Sequence, residues 1–454
     1  MGKAVMLPWI LGALAVLSVP LVKAEDPYFY YTWTVSYGTR SVLGISQQVI
    51  LINDQFPGPK LEAVTNNIIL NLINKLDQPF LLTWNDIKQR KNSWQDGVLG
   101  TNCPIPPNSY YTYKFQAKDQ IGSFRCFPST LLHKAAGGFG ALNIYHRSVI
   151  PIPYANPDGD FTLLIGKPLP FPDGVLINVQ TQTNFSGEQG KTYMFRISNV
   201  GLSTSLNCSC FSDLESATKE LPHCRIDKIY QDHSYSNCGI ALRKLANPVS
   251  GPLPAAPAFE FHCQCSKQEH LARSNPQGSL HYGKITPTKT IVLSNSASLI
   301  NGKLCYTVNG VSYVNPDTPP KLADHYNIPG VFTIDSIQTL PSGGAATVAT
   351  SFMPVSYKIF SKSSSRTTKI ACNLGILMVM IFGLWGESHC PWTPHKRKTY
   401  NLVDALTRHT TQVYPNSWTP ILISMDNQCN LSLTNEYDVP SNVLLCGKAV
   451  GIRP

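Results

Sequence analysis

The sequence predicts an all-β chain, on three observations. Apolar and polar residues alternate at period two through a series of short runs such as NIILNLIN, which gives each run one face to bury. Turn signals recur between the runs at spacings of about ten residues, the rhythm of a Greek-key sandwich or barrel. Composition agrees, with 35 Pro, 31 Gly and 20 Tyr beside only 14% charged and 43% hydrophobic residues. At 454 residues the chain is long enough for roughly two to four such domains.

Residues 1–24 are set aside from the fold. Lys3 gives a positive start, an apolar run follows, and Val22-Lys23-Ala24 places acceptable residues before a cut after Ala24. This predicts a secretory signal peptide and not a membrane anchor. Losing Lys3 and Lys23 from 37 cations against 27 acids leaves a mature charge of +8. A secreted basic protein meets acidic polysaccharide or anionic membrane more readily than nucleic acid. No nucleic-acid module is visible, since the densest basic run, His395-Lys396-Arg397-Lys398, is too short to form one. All 13 Cys lie in the mature chain, where an oxidising compartment favours disulfides, and the odd count leaves one thiol over. Sequons at Asn184, Asn207 and Asn430 are candidate exposed glycosylation sites.

From Tyr28 to Arg147 the runs follow one another as strands: YYTWTVSYG, then QQVILINDQFPGPKLEAV as strand, Pro-Gly turn and strand, then NIILNLINKL, SYYTYKFQA and ALNIYHR. Pro151, Pro153 and Pro157 mark a linker, and FTLLIG, VLINVQTQTNF and KTYMFRISNV open a second β domain. From about Cys208 the strand pattern is lost in a stretch rich in Cys and His. It returns at KTIVLSNS and breaks again over 352–391. There ACNLGILMVMIFGLWG, sixteen uncharged residues, is short of the ~20 that a bilayer span needs and reads as a buried strand pair.

Candidate chemistry is sparse. GSFRCFPST with His133 close behind admits two readings, half of a metal site or a buried strand. Cys208-x-Cys210 and His262-Cys263-x-Cys265 lack the usual zinc-knuckle spacing and read as disulfides or plain thiols. Gly137-Gly138-Phe139-Gly140 has no P-loop Lys and reads as a turn before a strand, and no G-x-S-x-G elbow occurs. Asp86 and Asp96 are spaced as an acid/base pair could be, but loop carboxylates of this kind read as solvated surface groups.

Four stretches, FPGPKLEAVTNN, LLTWNDIKQRKNSWQDGVLGTNCPIPPNSYYTYKF, AAGGFGALNIY and NLVDALTRHTTQVYPNSW, together resemble the plant ascorbate-oxidase homologues, multicopper-oxidase-like proteins of the cell surface and cell wall. The resemblance spans most of 27–207 and 273–454. It implies three cupredoxin-type Greek-key sandwiches, at 25–150, 151–279 and 280–454. The second is degenerate from about 208; the third is degenerate at 352–391 and truncated near 430. It further implies secretion, glycosylation and a disulfide between Cys103 and Cys446.

Active members of that family hold copper through H-x-H pairs, because residues i and i+2 of a strand face one side. The 11 His here include no H-x-H. On the family's H-W-H-G pattern the chain has Thr83-Trp84-Asn85-Asp86, and on G-T-x-W-Y-H-S-H it has Phe127 and Ser129 at the imidazole positions, with Cys126 at the Tyr. His389 beside Cys390 stands on the wrong side of the NLVD stretch for the mononuclear site. The resemblance is therefore to the copper-poor branch, and no catalytic, cofactor or metal residue is expected. Three readings stay open: a copper-free binding or structural glycoprotein of the cell wall with acidic polysaccharide as partner, a copper-dependent oxidoreductase, or the non-functional product of a disrupted gene.

Overall fold

The computed structural model describes residues 27–147 with breaks at 43, 65, 86, 88, 90–94, 118–119 and 131, then 156–166, 176–179, 183–186, 188, 191–202, 206–211, 223–228, 238–243, 289–334, 346–352, 360–367, 373–383, 395, 406–413, 418–424 and 443–452. The signal-peptide segment, the Pro151–Pro153 part of the linker, Asp86, His262, Cys263, Cys265, His389, Cys390 and Asn430 lie outside these residues.

Eight strands build the first unit: β1 (Tyr28–Val42), β2 (Ile45–Ile52), β3 (Leu61–Ala63), β4 (Asn67–Asn74), β5 (Leu82–Asn85), β6 (Tyr110–Gln116), β7 (Gly122–Pro128) and β8 (Gly140–Ile144). They pair as two four-stranded sheets, β2-β1-β4-β6 and β3-β8-β7-β5. The alternation of β4 sets the arrangement: Ile68, Leu70 and Leu72 are fully buried while Ile69, Asn71 and Ile73 face outward and are half-buried. The core between the sheets is aromatic at its centre. Trp84 lies 4.8 Å from Phe115, 5.6 Å from Tyr113 and 6.0 Å from Trp33, ring centre to ring centre. The Pro-Gly segment does not fold β2 back on β3; it carries the chain from one sheet to the other, because β2 pairs with β1 and β3 with β8. A one-turn helix, α1 (His133–Ala136), precedes the Gly137-Gly138 turn, where both glycines take positive φ.

The second unit begins with β9 (Gly159–Gly166), β10 (Leu176–Ile177), β11 (Thr183–Ser186) and β12 (Tyr193–Asn199), of which β10, β9 and β12 form one sheet. Polar contacts fasten it to the first unit. Arg196 pairs with Asp160 at 2.7 Å, lies 4.7 Å over the Tyr145 ring and reaches Ser123 Oγ at 3.4 Å. Asn143 Nδ2 donates to Thr162 Oγ1 at 2.9 Å. Beyond these, β13 (Leu206–Phe211), β14 (His223–Lys228) and β15 (Cys238–Arg243) join β11 in a sheet ordered β11-β15-β14-β13. The stretch from about 208 thus contains strands where the sequence reading found none. LNCSC alternates once Cys is counted as the small hydrophobe that it is, and that pattern was passed over. Asn184 and Asn207 sit on β11 and β13.

The last part comprises β16 (Lys289–Ile300), β17 (Lys303–Val308), β18 (Val311–Tyr313), helix α2 (Pro320–His325), β19 (Thr333–Ile334), β20 (Thr347–Ala349), β21 (Ser351–Phe352), β22 (Phe360–Thr367), β23 (Asn373–Gly383), β24 (Leu406–Val413) and β25 (Trp418–Ser424). Eight of these strands form one sheet, β20-β18-β17-β16-β22-β25-β23-β24, and β19 pairs with β21. The apolar run read as a strand pair is one strand, β23, bulged between Ile376 and Ile381 and flanked by β24 and β25. The tail returns to the first unit. Cys446 is bonded to Cys103, and the tail packs by Leu445 and Ala449 against Leu322 of α2. Lys448 N donates to Thr318 Oγ1 at 2.7 Å. Among the described residues no helix is long and apolar enough to cross a membrane.

Candidate functional site

Strands β5 and β7 run antiparallel with Thr83 opposite Phe127, Trp84 opposite Cys126 and Asn85 opposite Arg125. Ser129 continues the ladder, its N–H donating to the Leu81 carbonyl at 2.9 Å. The four positions read as substituted copper ligands therefore come together on one strand pair. Two of their side chains are already committed. Thr83 Oγ1 donates to the Asp96 carbonyl at 3.0 Å, and Ser129 Oγ donates to the Gly97 carbonyl at 2.6 Å. Both carbonyls belong to the loop before Asn102, whose side chain accepts from Gly97 N–H at 2.7 Å. Gly97 is in the left-handed region at φ +72°, and a Cβ there would run into the Leu82 carbonyl. Only glycine lets this loop lie so close to β5.

The remaining two positions are equally unsuited to a metal. Phe127 offers no donor atom, and its ring carries Lys134 Nζ at 4.0 Å and the Arg125 guanidinium at 5.9 Å from the ring centre. Asn85 is buried, and its Nδ2, a donor, has no hydrogen-bond partner among the described residues. Copper takes imidazole or thiolate. These four side chains supply neither, so they do not fit the metal.

The thiol and imidazole of the neighbourhood are taken up by packing. Cys126 is fully buried opposite Trp84, its Sγ 3.7 Å from the Gly140 carbonyl, and burial pushes the thiol up to about 12. It is a small core side chain, not a thiolate. His133 is buried on α1, stacked 5.8 Å from Phe80, with Nδ1 2.9 Å from Thr130 Oγ1 and Nε2 3.2 Å from Gln78 Oε1. Burial lowers its pKa against a weaker opposite pull from Asp77, and so favours the neutral ring. GSFRCFPST is thus a core strand whose following imidazole is occupied.

Asp96 departs from the sequence reading. Its carboxyl is no solvated surface group: burial raises it to about 6, against hydrogen bonds from Thr101 Oγ1 and Val98 N–H that favour the charged form. Sequence reasoning missed the loop as a partner of the site because the Thr83 hydroxyl meets the backbone carbonyl of Asp96 thirteen residues away. A glycine at 97 was the one available signal.

A multicopper-oxidase family model matches residues 34–149, and a second multicopper-oxidase model matches 379–432. An L-ascorbate oxidase homolog of Brassica napus is 36% identical, with 96% of this chain and 95% of that protein covered. Its Nicotiana tabacum counterpart is 35% identical over 97% of each. The monocopper oxidase-like protein SKU5 of Arabidopsis thaliana is 36% identical over 93% of this chain and 90% of its own. Among solved structures, the multicopper oxidase Fet3p superposes with a TM-score of 0.70 at 16% identity, covering 88% of this chain and 86% of its own. A laccase from Botrytis aclada gives 0.66 at 18% identity, covering 89% and 84%. At those identities the structural matches establish the cupredoxin fold alone.

Proposed function

Because the chain belongs to the multicopper-oxidase family of ascorbate-oxidase homologues, yet places Thr83, Asn85, Phe127 and Ser129 where that family's ligands are expected, we propose that it is a secreted glycoprotein that works by binding, without copper or redox turnover. One observation carries the reading. Both hydroxyls of the set donate to backbone carbonyls of the Asp96–Gly97 turn, and the Phe127 ring lies under Lys134. Converting this strand pair to a metal site would require breaking the contacts that close it.

The signal-like residues 1–24 and the sequons at Asn184, Asn207 and Asn430 support an extracellular, cell-wall or cell-surface location. The basic balance of the chain supports acidic polysaccharide as partner. The test is copper per chain in protein purified from its native source, measured with oxygen uptake on ascorbate and on a phenol. The expected result is no stoichiometric copper and no oxygen-linked oxidation. A stoichiometric, cyanide-sensitive copper signal would establish the oxidoreductase reading instead. N-terminal sequencing beginning at Glu25 and a glycosidase-sensitive mass would test secretion.

A further inference from the structure

The sheet β11-β15-β14-β13 collects four of the chain's 13 cysteines on one face. Directly paired residues of neighbouring strands share a face, and so do alternate residues along one strand. Cys210 pairs with Cys224 and Cys208 with Ile226, which pairs on its other side with Cys238. Cys224 pairs in turn with Ile240, and Ile240 with Thr183, two residues before Phe185. Cys208, Cys210, Cys224, Cys238 and Phe185 therefore belong to the same face. The Phe185 ring meets Phe161 at 4.8 Å and Phe195 at 5.6 Å, so this face is the one turned toward β9 and β12. The opposite face carries both sequon asparagines of the sheet, Asn207 paired with Asp227 and Asn184 with Ala241.

Register decides which of these cysteines can be bridged. A disulfide needs Cα atoms about 4.4–6.8 Å apart and Cβ atoms about 4 Å apart. Directly opposed residues of an antiparallel pair stand about 4.5 or 5.5 Å apart at Cα, and Cys210 and Cys224 are such a pair. The diagonal pairs, Cys208 with Cys224 and Cys224 with Cys238, are about 7–8 Å apart. Cys208 and Cys238 stand two strand spacings apart, about 9.6 Å, and Cys210 and Cys238 are farther still. Cys208 and Cys210 share one extended strand, where residues two apart carry parallel side chains about 6.6 Å apart. One pairing of the four cysteines fits.

We propose that Cys210 and Cys224 are a disulfide-forming site, bridged across β13 and β14 by exchange with a small or protein disulfide donor. The proposal rests on the secreted reading above, because the bond needs an oxidising compartment. The thiolate of one cysteine attacks the donor's S–S bond, forms a mixed disulfide and releases one donor thiolate. The second cysteine then attacks its partner's sulfur, forms the Cys210–Cys224 bond and expels the other donor sulfur. Two protein thiols are oxidised, one donor disulfide is reduced to two thiols, and the two protons pass to the departing thiolates. The bond staples β13 to β14 beneath the face that carries Asn207, and it leaves Cys208 and Cys238 without a partner among the four.

The test is peptide mapping of the full chain produced in a eukaryotic secretory host, alkylated without reductant, freed of N-glycans and digested with trypsin. Cleavage after Arg196, Lys219, Arg225, Lys228 and Arg243 puts Cys208 and Cys210 on one peptide, Cys224 on a second and Cys238 on a third. The expected result is peptide 197–219 linked to peptide 220–225, with 229–243 joined to neither. The link should persist in Cys208→Ser and vanish in Cys210→Ser. The reverse pattern in the two variants would overturn the choice of Cys210. A link from 220–225 to any other peptide would overturn the pairing and leave secretion standing. So would an alkylated Cys224 in a chain whose Cys103–Cys446 bond is intact. Alkylation of every cysteine, Cys103 and Cys446 included, would overturn the secreted reading together with the bond.

Discussion

The first sandwich and the sheet of the last part use the same strand grammar with opposite results. In β4 the apolar residues of alternate positions are fully buried, and Trp84, Phe80 and Tyr113 fill the space beneath them. In β17 the inward position is Thr307, 1% exposed and 2.7 Å from Ser296 Oγ, whereas Leu304 and Tyr306 are 60% and 69% exposed. Leu299 and Val348 are exposed on the same sheet. A period of two decides that a strand has two faces; what stands across from each face decides which is the core. The first unit has a second sheet across from its apolar face. Among the described residues, the β16–β18 ladder turns polar groups inward and leaves large apolar ones in water, a hazard for association.

Four measurements would break or sharpen that contrast. The largest effect is expected at the bond joining the two regions. Cys103 and Cys446 are 343 positions apart, and Cys446→Ser should cost about 6 kcal/mol in the chain-entropy model, read as loss of stability in denaturant melts. The first sandwich should then unfold separately from the tail; one shared, unshifted transition would show that the bond ties nothing. Next, Trp84→Ala should cost about 3–5 kcal/mol because it empties a fully buried site. A change under about 1 kcal/mol would mean that this core is not packed as described.

The third is a pH effect. Asp96 is raised from the ordinary carboxylate value to about 6, so between those two pH values the native state holds a proton that the unfolded chain has released. The stabilisation is complete below the ordinary value and disappears as pH rises through about 6. Relative to Asp96→Asn, wild type should therefore lose up to about 3 kcal/mol between pH 4 and pH 7. His133 runs the other way, since its lowered pKa gives stability that is present above the ordinary imidazole value and lost on acidification. Comparison with the Asn variant isolates the aspartate. A constant difference across the range would put the carboxyl in water. The smallest effect is at Leu304, where Leu304→Ser should stay within about 0.5 kcal/mol and raise solubility. A loss of 2 kcal/mol or more would show that the face is covered in solution.

Much of the first unit is legible in the sequence because its strands alternate cleanly and its turns are marked. The strand identity of GSFRCFPST, open on its own residues, and the gathering of Thr83, Asn85, Phe127 and Ser129 follow from the resemblance to the family's two ligand patterns. What escaped the reading has physical causes. Helices of four and six residues, α1 and α2, are too short to show a 3.6 period. In YFYYTWTV both faces carry aromatic residues, so alternation could not say that Tyr30 faces water while Trp33 faces the core. The burial of Asp96 depends on a loop folded over β5, which no local pattern encodes. The β13–β15 strands were hidden by cysteines counted as chemistry before they were counted as apolar.

The bond between Cys103 and Cys446 closes the polypeptide between those two residues into a covalent ring. A ring survives a single cut. A protease that clips any one peptide bond between those residues would leave one connected molecule, and fragments would separate only when the thiols are freed. For a protein whose second half carries exposed apolar strands, that topology turns a severed chain into a nicked one. Damage of this kind would be invisible in a gel run without reductant and plain in one run with it.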